Sequence, residues 1–122
     1  MDTKPVTPKL HAIIDYVFSG IQMAAPLLLG LNRKAATTYG ALGAGFLAIN
    51  ALTDTPAGLK HFLSFKKHQK ADQSFLAGLS LLSFANYIRR DKRARNFHLG
   101  FLAAAIAHYI LTDYNAHTLR KV

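Results

Sequence analysis

The sequence predicts an all-α protein: a four-helix transmembrane bundle built from two tandem helical hairpins with pseudo-two-fold symmetry, joined by a short interfacial amphipathic helix. Three observations predict it. Charged side chains are nearly absent from four windows, 16–32, 35–53, 73–88 and 96–112, and crowd into the segments between them. Each half opens on His-x-x-x-Asp, His11 to Asp15 and His68 to Asp72. Each half closes on Thr-Asp, at Thr53-Asp54 and Thr112-Asp113. A soluble bundle helix carries a charged stripe, and four successive windows without one point to lipid as the solvent.

The first helix is predicted to start at Thr7-Pro8, with threonine as N-cap and proline at the first helical position, where its missing N–H costs nothing. It runs to about Leu31, with Pro26 as an internal kink. Leu31-Asn32-Arg33-Lys34 is a basic turn. The second helix, 35–53, carries Ala36, Gly40, Ala44 and Ala48 at four-residue spacing, which predicts a groove for close helix approach. Gly40 to Gly45 is no phosphate loop, because no strand precedes it.

Thr55-Pro56 repeats the start signal. Leu59, Phe62, Leu63 and Phe65 alternate with lysines over 55–67, as in an amphipathic helix lying among headgroups. The third helix is expected over 68–88. Arg89 to Arg95 is a solvated charge run. The fourth helix, 96–112, repeats the small-residue spacing at Gly100, Ala104 and His108. The short turns make both hairpins antiparallel, so both termini and both His-x-x-x-Asp motifs fall on one side.

At 122 residues a single domain is expected, with repeat 1 over about 8–54, the interfacial segment over 55–67 and repeat 2 over about 68–113. The apolar share of 51% is ordinary, so the distribution carries the inference rather than the mean. Two windows fall short of the roughly 20 residues that span a hydrocarbon core, which requires flanking residues or a thinned bilayer. The absence of cysteine removes disulfides and thiolate ligands. The first apolar segment carries Asp15 and lacks a small-residue cleavage site, so it is expected to be retained. A net charge of +9 without any glutamate suggests polyanions. The basic residues cap apolar segments and form no stripe with aromatics, so anionic lipid is expected and nucleic acid is not. A homo-oligomer is compatible with this surface. The 15 lysines and arginines divide eight to seven between the two sides, so the positive-inside rule gives no orientation.

His-x-x-x-Asp stacks imidazole and carboxylate one turn apart on a helix face. Asp54 and Asp113 stand at helix C-termini, where the macrodipole already places negative charge, and this calls for a nearby cation. Three uses follow. A hydrogen-bonded clasp would tie the helix pairs together, in a binding or structural module facing lipid. A divalent metal site would use His11, Asp15 and Asp54 with His68, Asp72 and Asp113, and His108 as a further nitrogen ligand. Imidazole with carboxylate suits zinc, iron or manganese, and an open position would make a metal-dependent hydrolase acting on lipid. A proton or ion carrier is the third use. Tyr109 and Asn50 are expected to support the ligands. His61 and His98 are expected away from them, and Tyr16, Tyr39, Tyr109 and Tyr114 are expected as interfacial anchors. No serine has a recognisable His-Asp partner by spacing.

The pattern His11-x-x-x-Asp15-Tyr16, Ala25-Pro26 with Leu28-Leu29-Gly30, Leu52-Thr53-Asp54 with Gly58, and His68-x-x-x-Asp72 resembles the SPW-repeat family of small bacterial four-helix membrane proteins. It covers nearly the whole chain. The chain has no tryptophan, and Ala25-Pro26-Leu27 and Leu82-Ser83-Phe84 stand where Ser-Pro-Trp would. The resemblance implies the fold and an integral location in a bacterial inner membrane, and leaves the chemistry open.

Overall fold

The computed structural model describes residues 4–116. Its helices are α1 (Pro8–Leu28), α2 (Arg33–Ala51), α3 (Phe65–Leu82), the single turn α4 (Asn86–Arg89) and α5 (Lys92–Leu111). The chain is therefore all-α, with four long helices. Each long helix starts on a side-chain cap that satisfies N–H groups the helix itself cannot. Thr7 accepts from Leu10 N, Asn32 from Ala35 N, Ser64 from Lys67 N, and Asp91 from Arg93 N and Ala94 N. Gly30, at φ +71°, turns the chain between α1 and α2, a backbone region that disfavours L side chains.

The membrane-spanning expectation is overturned. Among the described residues, no helix is long and apolar enough to cross a membrane. The windows without charge owe much of their length to alanine, glycine, serine, threonine, asparagine and glutamine, which remove charge without supplying hydrocarbon. The helices also reach into the charged segments. α3 begins with Lys66, Lys67, Lys70 and Asp72, and α5 with Lys92, Arg93 and Arg95. The lipid-facing structural module, the lipid hydrolase in a membrane, the carrier and the inner-membrane location all lose their premise with it.

Two further expectations fail locally. The amphipathic helix expected over 55–67 is absent: residues 55–64 form no helix, four of their N–H groups being spent on the end of α2, and 65–67 belong to α3. Leu59 and Lys60 donate to Ala51 O, and Phe62 and Leu63 donate to Leu52 O. The third helix does not reach 88. It stops at Leu82, and Ala85 N turns back to Leu82 O before α4 begins.

The helix faces explain why the sequence shows no charged stripe. α1 buries His11, Asp15, Ser19, Gln22 and Pro26 and exposes Leu10, Ile13, Val17 and Ile21. Its polar stripe points inward. α2 buries Ala35, Tyr39, Gly43, Phe46 and Asn50, while Ala44 and Ala48 of the expected groove are exposed. The close approach is instead at Gly43, where a Cβ would lie 2.8 Å from Met23 Cγ and 2.9 Å from Ser19 O. An apolar core of Leu31, Ala35, Tyr39, Leu79, Ile88, Ala94, Phe101 and Ala105 fills the end nearer the α1–α2 turn.

At the other end the two halves close in the same way. Thr53 forms an isolated parallel bridge with Leu63, just before α3, and Thr112 forms one with Val6, just before α1. Leu63 N donates to Leu52 O and Asp54 N to Leu63 O. Correspondingly, Val6 N donates to Leu111 O and Asp113 N to Val6 O. Each bridge locks the end of one helix beside the start of another, which places each threonine against a histidine.

Candidate metal centre

His11 and Asp15 project from α1, His68 and Asp72 from α3, and His108 from α5, and all five are buried. Burial of so many titratable groups is costly unless they satisfy one another. The histidine ring orientations are set from behind. Thr112 Oγ1 donates to His108 O at 2.6 Å and lies 2.7 Å from His11 Nδ1. Thr53 Oγ1 donates to Ile49 O at 2.7 Å and lies 2.8 Å from His68 Nδ1. A hydroxyl has one proton, and here the carbonyl four residues back takes it. Each Nδ1 must therefore carry the proton and donate to its threonine. That leaves both Nε2 atoms facing inward, in the tautomer that ligates metals.

In front of the threonines the donors converge. His11 Nε2 and His68 Nε2 are 3.3 Å apart. His11 Nε2 lies 3.0 Å from Asp15 Oδ2 and 3.1 Å from Asp72 Oδ2. His68 Nε2 lies 2.9 Å from Asp15 Oδ2 and 3.3 Å from Asp72 Oδ1. One ligand atom from each of His11, Asp15, His68 and Asp72 falls within 4.8 Å of every other. His108 Nε2 holds the other oxygen of Asp15, Oδ1, at 2.9 Å, and its ring stacks on that of His11 with centroids 4.0 Å apart. Tyr114 donates its hydroxyl to Asp72 Oδ2. Asp72 Oδ1, although close to His68 Nε2, has no hydrogen-bond partner.

Electrostatics follow the geometry. Burial alone would lower the histidine pKa values, but the Asp15 and Asp72 carboxylates beside them outweigh it. They raise His11 above its usual value and push His68 up to about 9. Burial would raise both carboxyls, yet the imidazoles hold Asp15 and Asp72 below the usual carboxylate range. With both imidazoles protonated and both carboxyls ionised, the four groups sum to zero charge.

The remaining expected ligands lie elsewhere. Asp54 pairs with His61, at 2.9 Å, and Asp113 accepts from Asn115 N at 3.1 Å. Both follow the threonine, so their side chains diverge from the direction it faces. Asn50 donates to Ala12 O and supports the α1–α2 contact rather than a ligand. Tyr109 OH accepts from Gln69 and Gln73. The interfacial role fails for Tyr39 and Tyr114, which are buried. Tyr39 is hydrogen-bonded to His98 Nδ1, and His98 Nε2 lies 2.8 Å from Ser83 Oγ. Sequence reasoning misses Tyr114 as a partner of Asp72, because 42 residues separate them.

No protein-family model, no curated protein and no solved structure matches the chain. The likeness to the SPW-repeat family stands on the motif residues alone.

Proposed function

We propose that the chain is a divalent-metal-binding helical protein whose ion is held by His11 Nε2, His68 Nε2, Asp15 and Asp72, with zinc, iron or manganese as the ion. The observation that carries this reading is the mutual proximity of the donors. Five nitrogen–oxygen and nitrogen–nitrogen separations fall between 2.9 and 3.3 Å. A proton on each Nε2 serves one acceptor well at a time, whereas a metal ion bonds all donors together. Donors placed tetrahedrally at about 2.0–2.2 Å from an ion are roughly 3.3–3.6 Å apart, close to these five separations, and one ligand atom from each of the four residues lies within 4.8 Å of the others. The unpartnered Asp72 Oδ1 supports the same reading, since a buried carboxylate oxygen without a donor is costly.

Two imidazoles and two carboxylates form an intermediate donor set that suits zinc, iron(II) and manganese(II). His108, Thr53, Thr112 and Tyr114 act from outside: they orient the ligands and set their basicity. For partners, a second copy of the chain is favoured by the exposed apolar stripe of Leu10, Ile13, Val17 and Ile21 on α1, which association would cover. Light scattering of purified protein reads that point.

The test of the metal reading is elemental analysis after equilibration with each ion and desalting. The expected result is one ion per chain, lost in His68→Ala and Asp72→Asn and kept in Asp54→Ala and Asp113→Ala. Metal-free protein in every condition, or full loading in His68→Ala, would overturn it.

A further inference from the structure

At the end of the bundle away from the metal centre, the α1–α2 turn meets the turn between α3 and α5. Asn32 Nδ2 crosses from the first turn to the second and donates to Tyr87 O and Asp91 Oδ2, both at 2.8 Å. Arg93, from the start of α5, lays its guanidinium over the first turn: a Cβ at Gly30 would lie 3.2 Å from its Nη1. The two turns therefore make one surface, and its charge is one-sided. Arg33 and Lys34 stand on the first turn and five more cations run from Arg89 to Arg95, all exposed, while Asp91 is the one acidic residue in either turn. Asp91 is occupied by capping, since its oxygens accept from Arg93 N, Ala94 N and Asn32 Nδ2. The same end exposes five large apolar side chains, Leu27, Leu28, Leu29, Leu81 and Phe84, each between 53% and 84% accessible.

We infer that this end docks on the surface of a bilayer containing anionic phospholipid, with the arginines on the phosphates and the leucines and Phe84 among the acyl chains just beneath. The contact needs no spanning helix, because an edge of side chains enters the headgroup layer while the bundle stays outside it. It is independent of the metal reading. Cations alone would fit any polyanion, and the apolar side chains decide between them. Four of the five are leucines, which cannot stack on bases and find nothing on a sugar-phosphate backbone to cover them, whereas acyl chains would remove them from water. Arginine decides which end docks. All five arginines among the described residues are here, and a planar guanidinium pairs with a phosphate through two parallel N–H bonds. Among the described residues the opposite end has lysine in place of arginine, at Lys60 and Lys67 for example, and Asp54 and Asp113 share that end with them.

Vesicles of phosphatidylcholine, with and without an equal part of phosphatidylglycerol, are the probe, read by co-sedimentation. The expected result is binding to the mixed vesicles alone, weakened by salt as the surface charge is screened. Each cation near such a surface contributes roughly fivefold, so Arg33→Gln, Arg90→Gln and Arg93→Gln together should lower the partition about a hundredfold. Leu28→Gln with Phe84→Ser should lower it about tenfold or more and keep the salt dependence. All five side chains are exposed, so circular dichroism should show wild-type helix content in both variants. Lys60→Gln with Lys67→Gln should leave binding unchanged, because the opposite end of helices this long lies roughly 30 Å away, several Debye lengths at physiological salt. Equal binding to both kinds of vesicle, no binding to either, or a loss in the lysine variant that matches the arginine variant overturns the proposal. Binding of duplex DNA that Leu28→Gln with Phe84→Ser leaves intact, without binding to vesicles, assigns the surface to nucleic acid instead.

Discussion

His11 and His68 stand 57 residues apart in sequence and face each other across the bundle, Nε2 to Nε2, at 3.3 Å. Two imidazole nitrogens this close need protons or an ion between or beside them. Without metal this must be protons shared with Asp15 and Asp72. With metal it is the ion.

Proton release follows. The hydrogen bonds of the metal-free cluster need a proton on each Nε2, and coordination needs both removed. Binding of one divalent ion should release close to two protons below the usual histidine pKa, leaving the charge of the cluster unchanged. Calorimetry in buffers of different ionisation enthalpy counts them. A count near zero would mean that these imidazoles do not ligate.

Stability against pH has a definite sign. The lowered carboxyls of Asp15 and Asp72 stabilise the metal-free fold above their unfolded value of about 3.9, and this is lost as pH falls through their lower folded values. The raised His68 stabilises it below about 6.5, and this is lost as pH rises through about 9. His11 is raised in the same direction. Denaturant midpoints in the presence of a chelator should therefore be highest between about pH 4 and 6.5 and fall on both sides. A midpoint that climbs steadily to pH 9 would contradict the paired charges.

Thr53→Val and Thr112→Val keep side-chain shape and remove the acceptor behind each imidazole. Each should weaken metal binding roughly 10- to 100-fold, while Thr→Ser at the same positions restores most of it. Competition against a chromophoric chelator measures this. Equal affinities across the series would remove the threonines from the site.

Removing one imidazole should also be felt in the fold. His68→Ala leaves buried Asp15 and Asp72 with less countercharge, which costs about 3–5 kcal/mol when a buried pair is broken. Restoring neutrality with Asp72→Asn in the same chain should recover part of that loss. Chelator-treated protein in urea gives the comparison, and additive losses would argue against coupling.

Gly58→Ala tests how the 52–64 loop reaches the centre. A Cβ there would lie 2.0 Å from Thr53 O, so the backbone of the residue that orients His68 must shift. A destabilisation of about 1–3 kcal/mol is expected, accompanied by weaker metal binding. Unchanged affinity at reduced stability would separate the loop from the site.

Much of this site is legible in the order of residues. His-x-x-x-Asp fixes its two side chains relative to each other by helix geometry alone, and the repetition of the motif pairs α1 with α3. His108 is legible because it lies about a turn before Asp113. Asp54 and Asp113 mislead for a simple reason. Adjacent side chains on an extended turn point to opposite sides, so once Thr53 and Thr112 face the imidazoles the aspartates beside them cannot. The membrane expectation fails for another. Lack of charge is not hydrophobicity, and α1 lacks a charged outer stripe because its polar residues point into the bundle.

The amino-acid sequence by itself determined the helices, their caps and the doubled His-Asp motif, because these depend on spacings of three and four residues and on local capping bonds. Only tertiary structure decided which imidazole meets which carboxylate, that Tyr114 closes on Asp72, and that Phe46 stacks on Phe75. Those contacts join residues far apart in sequence, and local periodicity does not determine the relative rotation and depth of packed helices.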